Sequence, residues 1–214
     1  MKIKALAITS LLVAAGALQG QAQSVDSANA VGYVKKTFGP GFHLFSNPLI
    51  AEDNTVASLF GTVPGGTTVY KFDAATSGFT PNPYVAFLNQ FTDTAMTLVP
   101  GEGAFISVPD GESVEAIFVG EVAQGNLETQ FPAGFSLISS QVPQAGGIAS
   151  DLGLDPATVS EVYKFDNATG AYQPFPSNPA FGGFLQEPSL AIGEAVFINA
   201  PDAGSWTREF TVSQ

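Results

Sequence analysis

Few side chains in this sequence could carry acid–base or nucleophilic chemistry. The 214 residues include one histidine, His43, and no cysteine. The lack of cysteine excludes disulfide bonds, thiolate metal sites and thiolate nucleophiles. A Ser-His-Asp triad would have to use His43, which alternates with Phe42 and Leu44 along a predicted strand and faces the side opposite to them. Because a lone histidine on the outer face of a strand is usually a surface residue, we predict no catalytic triad.

Two equivalent glutamates are the remaining candidates for catalysis. Glu102 and Glu194 each follow a glycine in a turn before an apolar strand, and a pair of carboxylates can hydrolyse glycosides as acid and base. Both copies keep the same surroundings. This fits a turn carboxylate that accepts backbone N–H bonds better than an unequal acid–base pair. We therefore predict no catalytic residue and no enzyme activity.

The sequence also predicts no metal site and no cofactor. Asp73 and Asp166 each begin a D-x-x-T turn, but Ca²⁺ takes about six to eight oxygen ligands, and each loop offers one carboxylate. A zinc site with one histidine and no cysteine would be short of ligands. Neither the GxxxxGK[ST] loop nor a strand-linked GxGxxG motif occurs.

The elements that would position these residues are duplicated. The run Val69–Asp73 recurs as Val162–Asp166, and Gly101-Glu102 recurs as Gly193-Glu194. Alternating apolar residues and turn-type Gly and Pro predict about five or six strands in each copy, with at most one short helix. The candidate helical turns are Thr55–Phe60 and Ile148–Leu152. We predict a mainly β chain whose two tandem homologous units form either a β-sandwich pair or a pseudo-twofold β-barrel.

The predicted organisation is a signal peptide at 1–22, an N-terminal linker at 23–30, a first β-repeat unit at 31–118 and a second at 119–214. Lys2 and Lys4, the apolar run at 5–18 and the small residues Gly20 and Ala22 are typical of a cleaved secretory signal. The apolar run is shorter than the ~20 residues that a membrane span needs. We therefore expect a secreted or cell-envelope protein, in the periplasm or on the cell surface, with no membrane span in the mature chain.

The charge of the chain limits its partners. Seven basic and 19 acidic residues give a formal net charge of −12, and such a surface repels phosphate backbones, which excludes nucleic acid. The partners that remain are a second copy of the chain and a surface polysaccharide. Edge strands near Gly32 and Val212 offer a route to self-association.

A Pro-rich segment in each copy carries the aromatic candidates for ligand binding. Exposed rings on a β-scaffold can stack on sugar rings. The predicted ligand-binding residues are Phe79, Tyr84, Phe87, Tyr172, Phe175 and Phe184. The alternative is that these rings cover the end of the fold or the interface between the units, because Phe lacks a polar group.

The motifs resemble a known repeat. The first copy reads Gly41-Phe42-x-Leu44-x-Ser46-x-Pro48-Leu49, then Val69–Asp73 with Thr76, then Leu98-x-Pro100-Gly101-Glu102-Gly103-Ala104-Phe105. This pattern is similar to a β-repeat module of secreted bacterial proteins (GWNLxSLP, YxYDxxTG, LxPGxGYW), as in small envelope proteins of verrucomicrobial type. The usual Trp positions hold Phe here. The resemblance covers nearly the whole mature chain and implies a non-catalytic β-module, with no active-site residue.

Three functions follow from these observations. The favoured one is a non-catalytic secreted or cell-envelope protein with a structural or adhesive role. The alternative is a carbohydrate-binding module that uses the loop aromatics. A glycoside hydrolase built on Glu102 or Glu194 is the least favoured.

Overall fold

The structure is a computed structural model that describes residues 30–178, 180 and 182–212. The predicted signal peptide at 1–22 and residues 23–29 of the predicted linker lie outside the described residues. The described chain is mainly β, and its antiparallel sheets form a sandwich-like arrangement that does not close into a barrel. The predicted fold class is confirmed, and of the two predicted architectures the sandwich is the one observed.

The first unit consists of a five-stranded sheet, a two-stranded ribbon and a short helix. Its elements are β1 (Val31–Phe38), β2 (Gly41–Ser46), α1 (Val56–Phe60), β3 (Thr68–Asp73), β4 (Gly78–Val85), β5 (Gln90–Phe91), β6 (Gly103–Val108) and β7 (Val114–Glu121). The sheet has the order β2-β6-β3-β4-β5, and β1 pairs with β7 as ribbon 1. Glu121 pairs with Val31, so the predicted boundary between residues 118 and 119 lies inside β7.

The second unit repeats the five-stranded sheet and the two-stranded ribbon of the first unit. Its elements are β8 (Gly125–Phe131), β9 (Gly134–Ile138), β10 (Gly146–Gly147), a 3-10 helix (Pro156–Thr158), β11 (Glu161–Asp166), β12 (Ala171–Asn178), β13 (Gly183–Phe184), β14 (Ser189–Leu190), β15 (Val196–Ala200) and β16 (Gly204–Phe210). The sheet has the order β9-β15-β11-β12-β13, and β8 pairs with β16 as ribbon 2. A short β10–β14 pair has no counterpart strand in the first unit.

Each unit has its own apolar core on the outer face of its sheet. In unit 1, ribbon 1 and α1 cover this face, and Phe45, Phe91 and Phe118 are fully buried there. In unit 2, ribbon 2 covers it, with Trp206 and Ile198 among the buried side chains. Burial of these apolar side chains holds each ribbon to its sheet.

The two candidate helical turns have different outcomes. The Thr55 side chain accepts a hydrogen bond from Ser58 N at 3.2 Å and caps α1, as an N-cap threonine does. The segment Ile148–Leu152 forms a hydrogen-bonded turn, with Asp151 N donating to Gly147 O at 3.0 Å, and does not continue as a helix. The carboxylate of Glu187 accepts hydrogen bonds from the backbone of residues 149 and 150, both at 2.7 Å, so a distant side chain satisfies the N–H groups at the start of this turn.

The two five-stranded sheets pack face to face through their inner sides. Both faces are covered where the sheets meet, and the interior strand β6 is buried along almost its whole length. Such a strand is a nearly continuous apolar run and lacks an alternating pattern. The order of layers is ribbon 1, sheet 1, sheet 2 and ribbon 2.

Candidate functional site

The inner faces of the two sheets meet in an aromatic interface. A third apolar cluster, separate from the two cores, joins Leu44 and Phe105 of unit 1 to Leu137, Ala195 and Phe197 of unit 2. Half-buried rings pack around it: Tyr70, Phe72, Tyr163 and Phe165. Because these side chains come from both units, burial of the cluster stabilises the docking of one unit on the other.

Equivalent rings of the two units have nearly the same spacing. The centroid distances are 5.9 Å for Phe42–Tyr70 and 5.8 Å for Phe135–Tyr163, 5.1 Å for Phe105–Phe165 and 5.0 Å for Phe72–Phe197. Several of the contacts are edge-to-face, the geometry that aromatic pairs prefer. The interface is thus related to itself by a pseudo-twofold axis.

Two clefts open at equivalent places of this interface, and each is lined by both units. The Tyr163 cleft has a volume of about 370 Å³ and is lined by Phe72, Ser77, Phe135, Tyr163, Tyr172 and Phe197. The Tyr70 cleft has a volume of about 410 Å³ and is lined by Phe42, Tyr70, Phe79, Phe105, Phe165, Gly170 and Tyr172. In each, the hairpin that follows the central strand of one unit closes over the rings of the other.

The rings at the rims are open to solvent. Phe42 and its counterpart Phe135 are 47% and 45% exposed, and Phe79 and its counterpart Tyr172 are 44% and 45% exposed. Single exposed apolar residues are ordinary, but a contiguous group of exposed rings beside a concave surface marks a binding site. The clefts are therefore the candidate functional site of this chain.

The clefts differ in one charged group. The hydroxyl of Tyr163 donates a short hydrogen bond to the carboxylate of Glu161. This hydrogen bond, with burial and the nearby negative charge, raises the pKa of Tyr163 to about 12. The residues in the equivalent positions of unit 1 are Tyr70 and Thr68, so the Tyr70 cleft lacks this carboxylate.

The six predicted ligand-binding residues occupy three kinds of position. Phe79 and Tyr172 lie at the rims of the clefts. Tyr84 and Phe175 are buried in the cores of units 1 and 2, at 4% and 6% exposure, where they cannot stack on a ligand. The remaining two are Phe87, which is 86% exposed beyond β4, and Phe184, which packs against the core of unit 2.

Sequence reasoning missed most of the rings that line the clefts. Phe42 and Phe135 occur in the repeated motif that begins β2 and β9, and Tyr70 and Tyr163 occur in the repeated central strand. The duplication was a partial signal, because it keeps these rings in both copies. It does not identify them alone, since Phe38 and its counterpart Phe131 are also kept and are buried in the two cores.

The paired glutamates close their own turns. Glu102 Oε1 lies 2.8 Å from Lys71 Nζ, and Glu194 Oε1 lies 3.0 Å from Lys164 Nζ. The backbone N–H three residues before each glutamate donates to its Oε2 atom, at 2.9 Å in unit 1 and 2.8 Å in unit 2. The two carboxylates have the same partners, so nothing in their geometry distinguishes an acid from a base.

The other candidate residues make local contacts. Asp73 accepts a hydrogen bond from Thr76 Oγ1 and one from Ala75 N, both at 2.9 Å, and these bonds lower the pKa of Asp73. His43 Nε2 lies 2.8 Å from the carbonyl oxygen of Gly39. Within the described part of the chain, no three acidic or histidine side chains converge as a metal site would require.

Comparisons add no relative to this description. No protein-family model, curated protein or solved structure matches the chain. Across residues 30–178, 180 and 182–212, no helix combines the length and apolar character that a membrane crossing needs.

Proposed function

We propose that this chain is a non-catalytic secreted or cell-envelope protein with a structural or adhesive role, and that its clefts hold ring or alkyl groups of the surface to which it attaches. The supporting observation is the pair of equivalent, half-open aromatic clefts on one interface. The N-terminal sequence pattern supports the location.

Two equivalent clefts suit attachment to a repetitive surface. An aromatic pair contributes about 0.5–1.5 kcal/mol beyond the area that it buries, so one cleft alone binds weakly. When two sites on one body engage together, the overall affinity rises by about 10²–10⁴. Weak single sites with strong combined binding are what an adhesive protein requires.

The charged side chains support a role without catalysis. Glu102 and Glu194 are held by a lysine and a backbone N–H in the same way in both units. Glycoside hydrolysis needs one carboxylic acid and one carboxylate with different environments. The geometry of these two glutamates gives that function no support.

A neutral aromatic probe tests the proposal. Benzyl alcohol is titrated against the isotope-labelled protein, and we expect amide shifts to concentrate in β2, β9 and the hairpins after β3 and β11. Replacing Phe42 and Phe135 together by Ser should lower the affinity about tenfold, because both rims lose a ring. Phe87→Ser is the matched control, since Phe87 lies outside both clefts. Shifts that spread evenly, or that survive the double substitution, would contradict the proposal.

A carbohydrate-binding module is the second candidate. It is favoured by Phe79 and Tyr172, which present half-exposed rings at equivalent rims, and flat rings of this kind can stack on sugar rings. Electrophoresis through gels that contain chitin fragments or a soluble β-glucan tests it. Retardation that is lost in Tyr172→Ala and kept in Phe87→Ala would support this function, and unretarded migration in every gel would exclude it for those polymers.

A further inference from the structure

The Tyr163 cleft is lined almost entirely by aromatic rings. Five of its six lining side chains are aromatic, and Ser77 is the sixth. The face of an aromatic ring carries partial negative charge, so several rings around one space attract a cation there. An aromatic enclosure of this type binds alkylated ammonium groups, because they are large and weakly hydrated.

A carboxylate strengthens this attraction in one cleft. Glu161 accepts the hydroxyl hydrogen of Tyr163, so a full negative charge lies behind one wall of the cleft. The tyrosine keeps its proton, and the donated hydrogen bond increases the electron density of its ring. Thr68 occupies the equivalent position in unit 1, which leaves the Tyr70 cleft neutral.

No basic side chain of the described residues lines either cleft. The Lys and Arg residues outside the predicted signal peptide have partners elsewhere: Lys35 with Glu115, Lys36 with Gly193 O, Lys71 with Glu102, Lys164 with Glu194 and Arg208 with Gln144. A cation that enters the Tyr163 cleft therefore meets no internal competitor. The net charge of −12 also raises the local concentration of cations.

We propose that the Tyr163 cleft binds an alkylated ammonium group, such as trimethylammonium, against its rings, with the carboxylate of Glu161 hydrogen-bonded to Tyr163 behind them. This inference rests on the proposed function, since it names the chemistry of the group that one of the two clefts receives. Hard metal cations do not fit, because they need several oxygen ligands and the cleft offers rings.

Choline and its neutral carbon isostere, dimethylbutanol, form the test. The two probes have nearly the same shape and differ in charge. We expect choline to bind the Tyr163 cleft at least about fivefold more tightly than the isostere, as cation–π attraction predicts. Amide shifts in β9, which carries Phe135, report this cleft, and shifts in β2, which carries Phe42, report the Tyr70 cleft. In the Tyr70 cleft we expect a smaller preference for choline, because its rings act without a carboxylate.

Variants taken from the other unit sharpen the test. Glu161→Thr installs the unit 1 residue and should lower the preference for choline to that of the Tyr70 cleft, and Thr68→Glu should raise the preference in the Tyr70 cleft. Glu161→Gln removes the charge and keeps the shape of the side chain, so it provides a second variant if Glu161→Thr unfolds. Phosphatidylcholine vesicles, compared with free choline, distinguish a lipid headgroup from a small soluble ligand.

The outcomes separate the two proposals. Equal binding of choline and the isostere in the Tyr163 cleft would overturn the ammonium inference and leave the proposed function standing. Binding of neither probe to either cleft would overturn both. A preference for choline that is unchanged in both Glu161→Thr and Glu161→Gln would also overturn the assignment, because the carboxylate that is meant to strengthen it would be absent.

Discussion

The two units of this chain share their strand order and differ in their outer ribbons. Where they dock, they are nearly identical: Ser46 N donates to Gly193 O at 3.0 Å, and Ser139 N donates to Gly101 O at 2.9 Å. Each unit thus holds a turn of the other by the same hydrogen bond. The contacts between the units are thus more alike in the two copies than the outer surfaces of the ribbons are. This difference indicates that a residue at the interface is less free to change than a residue on the outer surface.

The ribbons show the divergence most clearly. The outer face of ribbon 1 carries Tyr33 opposite Val119, and these side chains are 63% and 50% exposed. The equivalent pair on ribbon 2 is Asn126 opposite Glu209. One unit therefore presents an apolar strip where the other presents a polar one.

The largest expected loss of stability comes from replacing side chains on the inner faces of the ribbons. Ribbon 1 inserts Phe118 into its core beside the small Ala116, whereas ribbon 2 inserts Trp206, at the position equivalent to Ala116. We expect Phe118→Ala and Trp206→Ala each to lower the free energy of unfolding by about 3–5 kcal/mol, because each leaves a cavity of ring size. Denaturant unfolding monitored by circular dichroism measures both.

Two controls belong to this comparison. Trp206→Phe keeps most of the apolar volume but leaves the carbonyl of Leu152 without the indole N–H that lies 2.8 Å away, so it should cost about 1–3 kcal/mol. Thr207→Ala, on the exposed face, should change stability by less than about 0.5 kcal/mol. If only one of the alanine variants at Phe118 and Trp206 lowers the free energy of unfolding by about 3 kcal/mol or more, the two cores are not equivalent.

The second prediction concerns a place where the docking surfaces of the two units differ. Gly103 and Ala195 are equivalent, and a Cβ atom on Gly103 would lie 2.8 Å from the Cβ of Ala195 and 2.8 Å from Leu137 Cγ. Gly103→Ala should therefore force the sheets apart and cost about 1–3 kcal/mol. Adding Ala195→Gly should recover part of this loss. If the double variant is no more stable than the single one, the two positions do not meet across the interface.

The sequence predicted the scaffold well and the site only in part. The repeated run Val69–Asp73 predicted the central strands β3 and β11, because β-branched and aromatic residues favour extended chain. The Pro-rich segments were predicted as loops, but they form β4 and β12. Proline is tolerated there because β5 and β13 pair with only the ends of these strands, so most of each outer edge is free.

This difference explains which aromatic candidates reach the clefts. In a strand, successive side chains point to opposite faces. Phe79 and Tyr172 share the inner face with the prolines, whereas Tyr84 and Phe175 point to the cores. Glu161, which distinguishes the clefts, could not be singled out before the fold was known, because the sequence does not show that its face of β11 borders a cleft between the two units.

The third prediction compares the two cleft tyrosines by pH. The pKa of Tyr163 is raised from 10.0 to about 12 in the folded protein, mainly by its hydrogen bond to Glu161. The folded state thus binds this proton more tightly than the unfolded state does. The stabilisation is complete below pH 10 and is lost as the pH rises through about 12.

We expect Tyr163→Phe to lose less stability than the wild type between pH 10 and pH 12. Tyr70→Phe is the matched control and should follow the wild type, because Tyr70 has Thr68 in place of the glutamate. Denaturant unfolding at the two pH values measures the difference, and the absorbance of phenolate at high pH should show that Tyr163→Phe loses a late-ionising tyrosine. Identical pH profiles for Tyr163→Phe and the wild type would show that the hydrogen bond to Glu161 does not form in solution.

Exchanging the exposed pair on ribbon 1 should have the smallest effect on stability. The same exchange should have a large effect on self-association. Replacing Tyr33 by Asn and Val119 by Glu installs the exposed pair of ribbon 2 on ribbon 1. We expect the free energy of unfolding to change by less than about 0.5 kcal/mol, because both side chains face solvent. Sedimentation over a wide concentration range should show that the wild type associates and that this variant remains monomeric, since exposed apolar strips favour self-association and the acidic surface elsewhere opposes it.

The reverse exchange tests the same argument from the other unit. Asn126→Tyr with Glu209→Val gives ribbon 2 an apolar pair, so the protein would carry one such strip at each end. A chain with two strips can form extended assemblies, whereas a chain with one strip stops at a dimer when the strips pair with each other. Larger species for this variant, with dimers for the wild type, would place self-association on the ribbon face. A monomeric wild type at every concentration would remove self-association from the structural role and leave attachment to the clefts.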